Sequence, residues 1–471
     1  MSDKTRHEGH HIDPDDWDDF ATAMHGVLDA CLARLQAARD LPWQPVPPGF
    51  AETVALDGTA QPLPGVLDRM TGPIMAQATG NTHPRFWGWV HGTGLPVGLA
   101  AELVAATMNA NTGGRWQGAA EVERAVLHFL RDTAGMAGDA FGILTGGTSQ
   151  ATILALTTAR TKLFGAGIRQ TGLAGLPPVR VYVAEGGHSC IDKALEILGH
   201  GTDSLTHIPT DAGHRMDLDA LRARIAADRA GGIEPLAIVG TAGSVGIGAF
   251  DDLDALADLA TAEDIWLHID AAFGFWIQLA EAPWRDLARG IGRADSIALD
   301  LHKWIGVPYS CGACLIADHD LHRAAFTSRP DYLASGAEGL AGGDLWFCDY
   351  GMDLSRGFLA LKAWAAFAAH GTEAFGRAIT DNCRQAALMG QLVEEAPELE
   401  LAVPVISNIC CFYPGKADPA DIAARLQTEG TAVFSTGKVA DRPCLRAAIV
   451  NHRTTGADIR AAIDAVRAAI A

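Results

Sequence analysis

Lys303 lies in Asp300-Leu-His-Lys-Trp304, directly after the apolar run Ser296–Leu299. A lysine at a strand end is ordinarily a solvated charge. Here His302, Trp304 and Ile305 place it in semi-apolar sequence, and burial lowers a lysine pKa, freeing the neutral amine for imine formation. Asp270 closes a second apolar run, Ile265-Trp-Leu-His-Ile-Asp270, followed by two alanines. A carboxylate there caps a helix or turn, or keeps a proton on the ring nitrogen of a flat, electron-accepting cofactor. Ala271 and Ala272 are small enough to let such a ring lie close. Leu144-Thr-Gly-Gly-Thr-Ser-Gln-Ala151 precedes the helical run Thr152–Ala159. Small residues with free N–H groups ahead of a helix suit a phosphate. The same residues also read as an ordinary glycine turn, and they match neither the P-loop nor the dinucleotide fingerprint. His188, in Gly186-Gly-His-Ser-Cys190, either neighbours a helix cap or stacks on a cofactor ring.

The elements that must position these groups follow from hydrophobic pattern. From Gly142 onward, short continuous apolar runs alternate with helical stretches. The runs are Val179–Val183, Leu236–Gly240, Ile265–Ile269, Ser296–Leu299 and Ala313–Ile316. Ser189–Leu198 and Leu253–Glu263 are two of the intervening helices. This alternation predicts a mainly parallel sheet covered on both faces. Asp13 to Arg39 has helical apolar spacing, and the proline-rich stretch Leu41 to Gly65 reads as an extended arm. Helical stretches at Phe358–Ala369 and Phe375–Leu392, β-like runs at Ile409–Tyr413 and Cys444–Val450, and a final helix at Ala457–Ile470 predict a smaller α+β domain. The expected division is 1–90 for the N-terminal helix and arm, 91–365 for the large domain and 366–471 for the small one.

The set of motifs resembles the group II pyridoxal-5′-phosphate-dependent amino-acid decarboxylases, the family of the aromatic-amino-acid and glutamate decarboxylases. The resemblance runs from about Asn81 to the C-terminus. It is carried by His83-Pro-Arg-Phe86, the Gly-Gly-Thr-Ser turn, His188, Gly240-Thr-Ala-Gly-Ser244, Asp270-Ala-Ala272, His302-Lys303, Arg446 and Asn451-His-Arg-Thr454. It implies the aminotransferase-like type I fold, with a seven-stranded sheet, and a homodimer with a shared active site. It implies that Lys303 holds pyridoxal phosphate as an imine, that Asp270 pairs with the ring nitrogen and that His188 stacks on the ring. Gly147, Thr148 and Ser149 would hold the phosphate with help from Asp300. Ser244 and Ala272 would line the ring, with His302 beside the lysine. Ser244 stands where the family more often has threonine. Asp300 stands where aromatic-branch relatives have asparagine, and a second carboxylate there repels a phosphate.

The activity implied is α-decarboxylation of an L-amino acid to an amine. The family's proton donor is a tyrosine on a loop. Counting back without gaps from Ser355-Arg-Gly-Phe-Leu-Ala-Leu-Lys362 puts Phe347 at that position. Relatives with phenylalanine there resemble oxidative aldehyde synthases. The other reading gives the donor role to Tyr350, Tyr332 or a histidine. Phe86, Trp89, His91 and Phe347 are the expected substrate contacts, with Trp87 and Trp116 as further aromatics; core or interface packing is the competing reading. Other lyases of the same fold, and a non-enzymatic binding protein, stay open.

Composition bounds the rest. The chain has 471 residues, 48% hydrophobic and 20% charged, enough for a large core. Its 36 basic and 56 acidic residues give a net charge of -20, which argues against nucleic-acid and anionic-membrane partners. No apolar run is long enough to span a bilayer, and the polar N-terminal segment shows no secretory signal. The nine cysteines lack paired metal spacing and fit a reducing cytoplasm. Cys311 and Cys314 read as core thiols, and no metal is expected, although His7, His10 and His11 lie close together in sequence.

Overall fold

The apolar runs become strands because each can be buried on both faces. The computed structural model describes residues 12–328 and 338–470; His7, His10, His11 and Tyr332 lie outside them. The chain forms two compact units, Met1–His83 and Pro84–Ala471.

In the first unit, the N-terminal helix spans Trp17–Gln36. The Asp16 carboxylate caps it, accepting the N–H groups of Asp18 and Asp19 at 2.9 and 3.2 Å. Asp18 and Asp19 sit at the positive end of its dipole. None of the helix's residues is buried, and Trp17, Leu28 and Leu32 are exposed. The expected arm is not extended throughout, since Phe50–Thr53 and Leu63–Arg69 are short helices.

In the second unit, seven strands form one sheet: β1 (Phe141–Thr145), β2 (Val179–Ala184), β3 (Leu205–Ile208), β4 (Glu234–Thr241), β5 (Trp266–Asp270), β6 (Ser296–Asp300) and β7 (Gly312–Ile316). Their order is β1-β7-β6-β5-β4-β2-β3. β3, β2, β4, β5 and β6 pair in parallel, and β7 runs antiparallel to both β6 and β1. Every strand but β7 therefore points the same way. β1, β5, β6 and β7 are buried along their whole length, as a sheet covered on both faces requires. The carboxyl ends of the parallel strands gather at one edge, where ligands bind in open α/β sheets.

A four-stranded antiparallel sheet follows: β8 (Glu400–Leu401), β9 (Ile409–Tyr413), β10 (Ser435–Val439) and β11 (Arg442–Ala448), in the order β10-β11-β9-β8. It packs over a second core that includes Phe412, Phe434, Leu445 and Ile463. Helix Ala360–Glu395 reaches that core from the large one, and its backbone leaves helical geometry at Gly371 (φ 67°). A left-handed residue there suits glycine, and it separates the two helical stretches seen in the sequence.

Candidate active site

Strand ends bring the predicted residues together. Asp270 closes β5 and Asp300 closes β6, with Lys303 in the turn beyond. That turn is pinned on several sides. Leu301 and His302 donate their N–H groups to the Cys311 carbonyl at 2.9 and 3.1 Å. The Asp300 carbonyl accepts Trp276 Nε1–H at 2.9 Å, and Asn382 Oδ1 accepts Trp304 Nε1–H at 3.0 Å. Gly92 passes directly over the turn. A Cβ there would sit 1.8 Å from the His302 carbonyl oxygen, so only glycine lets the 89–93 segment close on the lysine.

Two cavities meet at His188, Asp270, Ala272, His302 and Lys303. One, of about 390 Å³, extends to the turn carrying Gly147, Thr148 and Ser149. The other, of about 330 Å³, extends to Trp89, His91, Ser244, Phe273 and Tyr309. The first has the character of a phosphate cradle. Helix Thr148–Phe164 opens at it, offering the positive end of its dipole. Thr148 Oγ1 is buried without a hydrogen-bond partner in the protein. A Cβ at Gly312 would come 2.6 Å from Asp300 Oδ1 and 2.7 Å from Gly147 Cα, so this end of the sheet tolerates only glycine. A largely buried amine, a buried carboxylate and an unpartnered hydroxyl at a helix start, all lining two joined cavities, fit pyridoxal phosphate. Bound there, it would supply an aldehyde for the Lys303 amine and a protonated ring able to accept electron density.

A model of the pyridoxal-dependent decarboxylase conserved domain matches residues 52–413. The chain belongs to the pyridoxal-dependent decarboxylase family. An aromatic-L-amino-acid decarboxylase of Bacillus atrophaeus is 30% identical over 395 residues, 81% of this chain and 80% of that protein. An L-2,4-diaminobutyrate decarboxylase of Rhizobium meliloti (strain 1021) is 30% identical over 470 residues, 95% of this chain and 91% of that one. The solved structure of Oryza sativa TDC with PLP and tryptamine superposes with a TM-score of 0.88 at 23% identity, covering 98% of this chain and 99% of that one, which shows the type I fold.

The geometry of the decarboxylase corrects several expectations. Lys303 is not a depressed amine in this structure. Burial does pull its pKa down, but Asp300 and Asp270 outweigh burial and the net direction is upward. Its Nζ lies 2.9 Å from Asp300 Oδ2. Asp300 also does not point a bare carboxylate at the phosphate cradle: its Oδ1 accepts the Thr148 N–H at 2.8 Å. It ties the turn to the lysine, and that amide is engaged by the protein itself. Asp270 is fully desolvated, which pushes its carboxyl above the usual range, while the Lys303 charge pulls the other way. Its Oδ1 accepts the Ala272 N–H at 3.1 Å. His188 Nδ1 accepts the Cys190 N–H at 3.1 Å, fixing the ring beside the cavity. His302 Nδ1 lies 2.9 Å from the Cys311 carbonyl, and burial lowers its pKa. Ser244 Oγ accepts the Ala249 N–H at 3.0 Å while lining the cavity.

Of the expected substrate contacts, Trp89 and His91 line the cavity, with their rings stacked at 5.5 Å. Phe86 is buried behind them, its ring stacked on His91 at 5.7 Å. Phe347 is elsewhere. It is fully buried, with Phe141 stacked at 6.3 Å and the Arg356 guanidinium 5.1 Å over its ring. Arg356 is locked there by Glu123 at 2.6 Å and the Leu144 carbonyl at 2.7 Å. Trp87 is core, Nε1–H donating to Thr454 Oγ1 at 3.2 Å. Cys311 and Cys314 are buried, and desolvation pushes both thiols up. Tyr309 escaped the sequence reading of the site, and Arg446 entered it only as part of the family pattern. Tyr309 enters the cavity from the β6–β7 loop. Arg446 Nη1 donates to the Trp89 carbonyl at 2.8 Å and holds that tryptophan at φ 52°; a non-glycine residue in left-handed geometry needs such a tether.

The Lys303–Asp300 pair makes a testable statement about cofactor capture. Only the neutral amine attacks an aldehyde. Because the pKa of Lys303 lies above its ordinary value, uptake of pyridoxal phosphate by the cofactor-free protein is expected to accelerate as pH rises through the alkaline range. Asp300→Asn removes the stabilising carboxylate, so its uptake profile is expected to move to lower pH. Stopped-flow absorbance against pH checks this, and coincident profiles would contradict the pairing.

Proposed function

We propose that this decarboxylase removes the α-carboxylate of an L-amino acid with an apolar or aromatic side chain, giving the amine. The observation that carries the substrate class is the 330 Å³ cavity beside Lys303. Its walls away from the Asp270–Lys303 pair are Trp89, Val90, His91, Val245, Phe273 and Tyr309. Among the described lining residues no second carboxylate is present to hold a distal ammonium, and no arginine to hold a distal carboxylate. Burying an unpaired charge there is costly. In this reading Lys303 provides the amine, Asp270 holds a proton at the ring nitrogen and His188 offers a flat face to the ring. Thr148 and Ser149 hold the phosphate. Trp89 and His91 would orient the substrate side chain.

We place the enzyme in the cytoplasm as a homodimer. The exposed apolar positions of helix Trp17–Gln36, none of whose residues is buried in the single chain, support an assembly. No helix among the described residues is long and apolar enough to cross a membrane. The substrate class is tested by comparing kcat/KM for L-tryptophan, L-tyrosine, L-phenylalanine, L-glutamate and L-2,4-diaminobutyrate. The aromatic amino acids are expected to lead by at least about tenfold, since one uncompensated charge costs more than about 1.4 kcal/mol. A preference for L-glutamate or L-2,4-diaminobutyrate would sink this assignment.

A further inference from the structure

The chain has five tyrosines, and the four among the described residues have different surroundings. Tyr182 is buried in β2, its hydroxyl donating to Asp228 Oδ2 at 3.0 Å. Tyr413 donates to the Val439 carbonyl at 3.1 Å. Tyr350 shares a 2.7 Å hydrogen bond with His319 Nε2 and packs 5.4 Å from Phe141, the first residue of β1. That is the opposite end of β1 from the phosphate turn, roughly 13 Å away along the strand. Tyr309 alone of the four lines the cavity at Lys303.

Its placement is specific. The Tyr309 hydroxyl oxygen accepts the Gly92 N–H at 3.3 Å, where the 89–93 segment crosses the Lys303 turn. Its ring lies 4.4 Å from the His302 ring and 6.2 Å from the His91 ring. The oxygen accepts a bond, but no acceptor among the described residues takes the phenol proton. Burial pushes the phenol pKa above its ordinary value, against the pull of the Gly92 N–H and the Lys303 charge. The group therefore carries its proton at neutral pH. Phe347, packed in the core, offers none.

We propose that Tyr309 delivers the proton to Cα after CO2 has left. The inference rests on the decarboxylase reading of the same cavity. When the Cα–carboxylate bond breaks, CO2 departs and the electron pair stays at Cα. The Tyr309 O–H bond then breaks, its proton forms the new Cα–H bond, and the phenolate recovers a proton from water through the half-exposed side of the ring. One solvent proton is consumed per turnover, and no oxidant is needed.

The test compares wild-type, Tyr309→Phe and Tyr332→Phe enzymes loaded with pyridoxal phosphate. The substrate is whichever of L-tryptophan, L-tyrosine, L-phenylalanine and L-2,4-diaminobutyrate the wild type turns over fastest. CO2, amine and oxygen uptake are measured separately. Cofactor affinity and the ultraviolet tyrosinate titration of the cofactor-free proteins serve as readouts independent of turnover. Wild type is expected to give equimolar CO2 and amine. Tyr309→Phe is expected to lose amine formation by about 100-fold or more, to release CO2 in excess of amine with matching oxygen uptake, and to keep its cofactor affinity. The alkaline tyrosinate step assigned to Tyr309 should vanish from its titration. A Tyr309→Phe enzyme that is slower but still equimolar would overturn the donor role, leaving only a positioning one. So would the same product shift appearing in Tyr332→Phe instead. A wild type that releases no CO2 from any of the four or from L-glutamate would overturn the decarboxylase reading itself, and this inference with it.

Discussion

Lys303→Ala is expected to abolish visible absorbance from bound cofactor and to lower kcat by at least about 10⁴-fold, the scale on which enzymes lose their covalent nucleophile. Lys303 is the lysine that lines both cavities, and it reaches Asp300 and Asp270 in the same pocket. The alanine variant leaves Asp300 buried and unpaired, which costs stability. Lys303→Arg separates the two effects. A guanidinium keeps a charge beside Asp300 and stays protonated, so it forms no imine. Both variants are therefore expected to be inactive, with Lys303→Arg melting closer to wild type. Borohydride reduction of the wild type followed by peptide mapping should label Lys303. A reducible adduct on another lysine in either variant would refute the assignment.

Asp270→Asn is expected to retain the cofactor and to lose about 10²–10⁴-fold in kcat. The carboxylate is buried, and in the proposed reading its partner would be a proton on the ring nitrogen of the bound cofactor. Removing one member of a buried charge pair is worth about 3–5 kcal/mol, and each 1.36 kcal/mol is tenfold in rate. Cys190 Sγ–H lies 3.9 Å from Asp270 Oδ2 and Ala272 N–H 3.1 Å from Oδ1, so an amide of the same shape can be held in place. Cofactor retention by absorbance, with kcat near wild type, would remove Asp270 from the electron sink.

Much of this site was legible because its parts are local. A continuous apolar run ended by one carboxylate gave β5 and Asp270; a second gave β6 and the Lys303 turn. The Gly-Gly-Thr-Ser stretch runs into the start of its helix. The interruption at Gly371 was visible as a gap between two amphipathic stretches. What stayed hidden depends on partners distant in sequence. β3 is a short edge strand with a half-exposed pattern, Leu-Thr-His-Ile, and carries little periodic signal. The charge state of Lys303 follows from the orientation of Asp300 and Asp270, which flanking hydrophobicity does not reveal. In the single chain Phe347 lies away from the cavity, stacked on Phe141 of β1, with Arg356 tied to Glu123 and to the Leu144 carbonyl beside it. Tyr309 had one available signal. It follows Lys303 in the loop joining two antiparallel neighbours, where Asp300 pairs with Gly312. That loop leaves and returns at the strand end that carries the lysine.

The most direct measurement is the stoichiometry of carbon dioxide and amine from purified protein given an L-amino acid labelled in its carboxyl carbon. With pyridoxal phosphate present, the labelled carbon should appear as CO2 in step with a primary amine, and both should disappear in Lys303→Arg. Loss of the amino acid without labelled CO2, or with transfer of its nitrogen to a keto acid, would contradict decarboxylation as the reaction of this site.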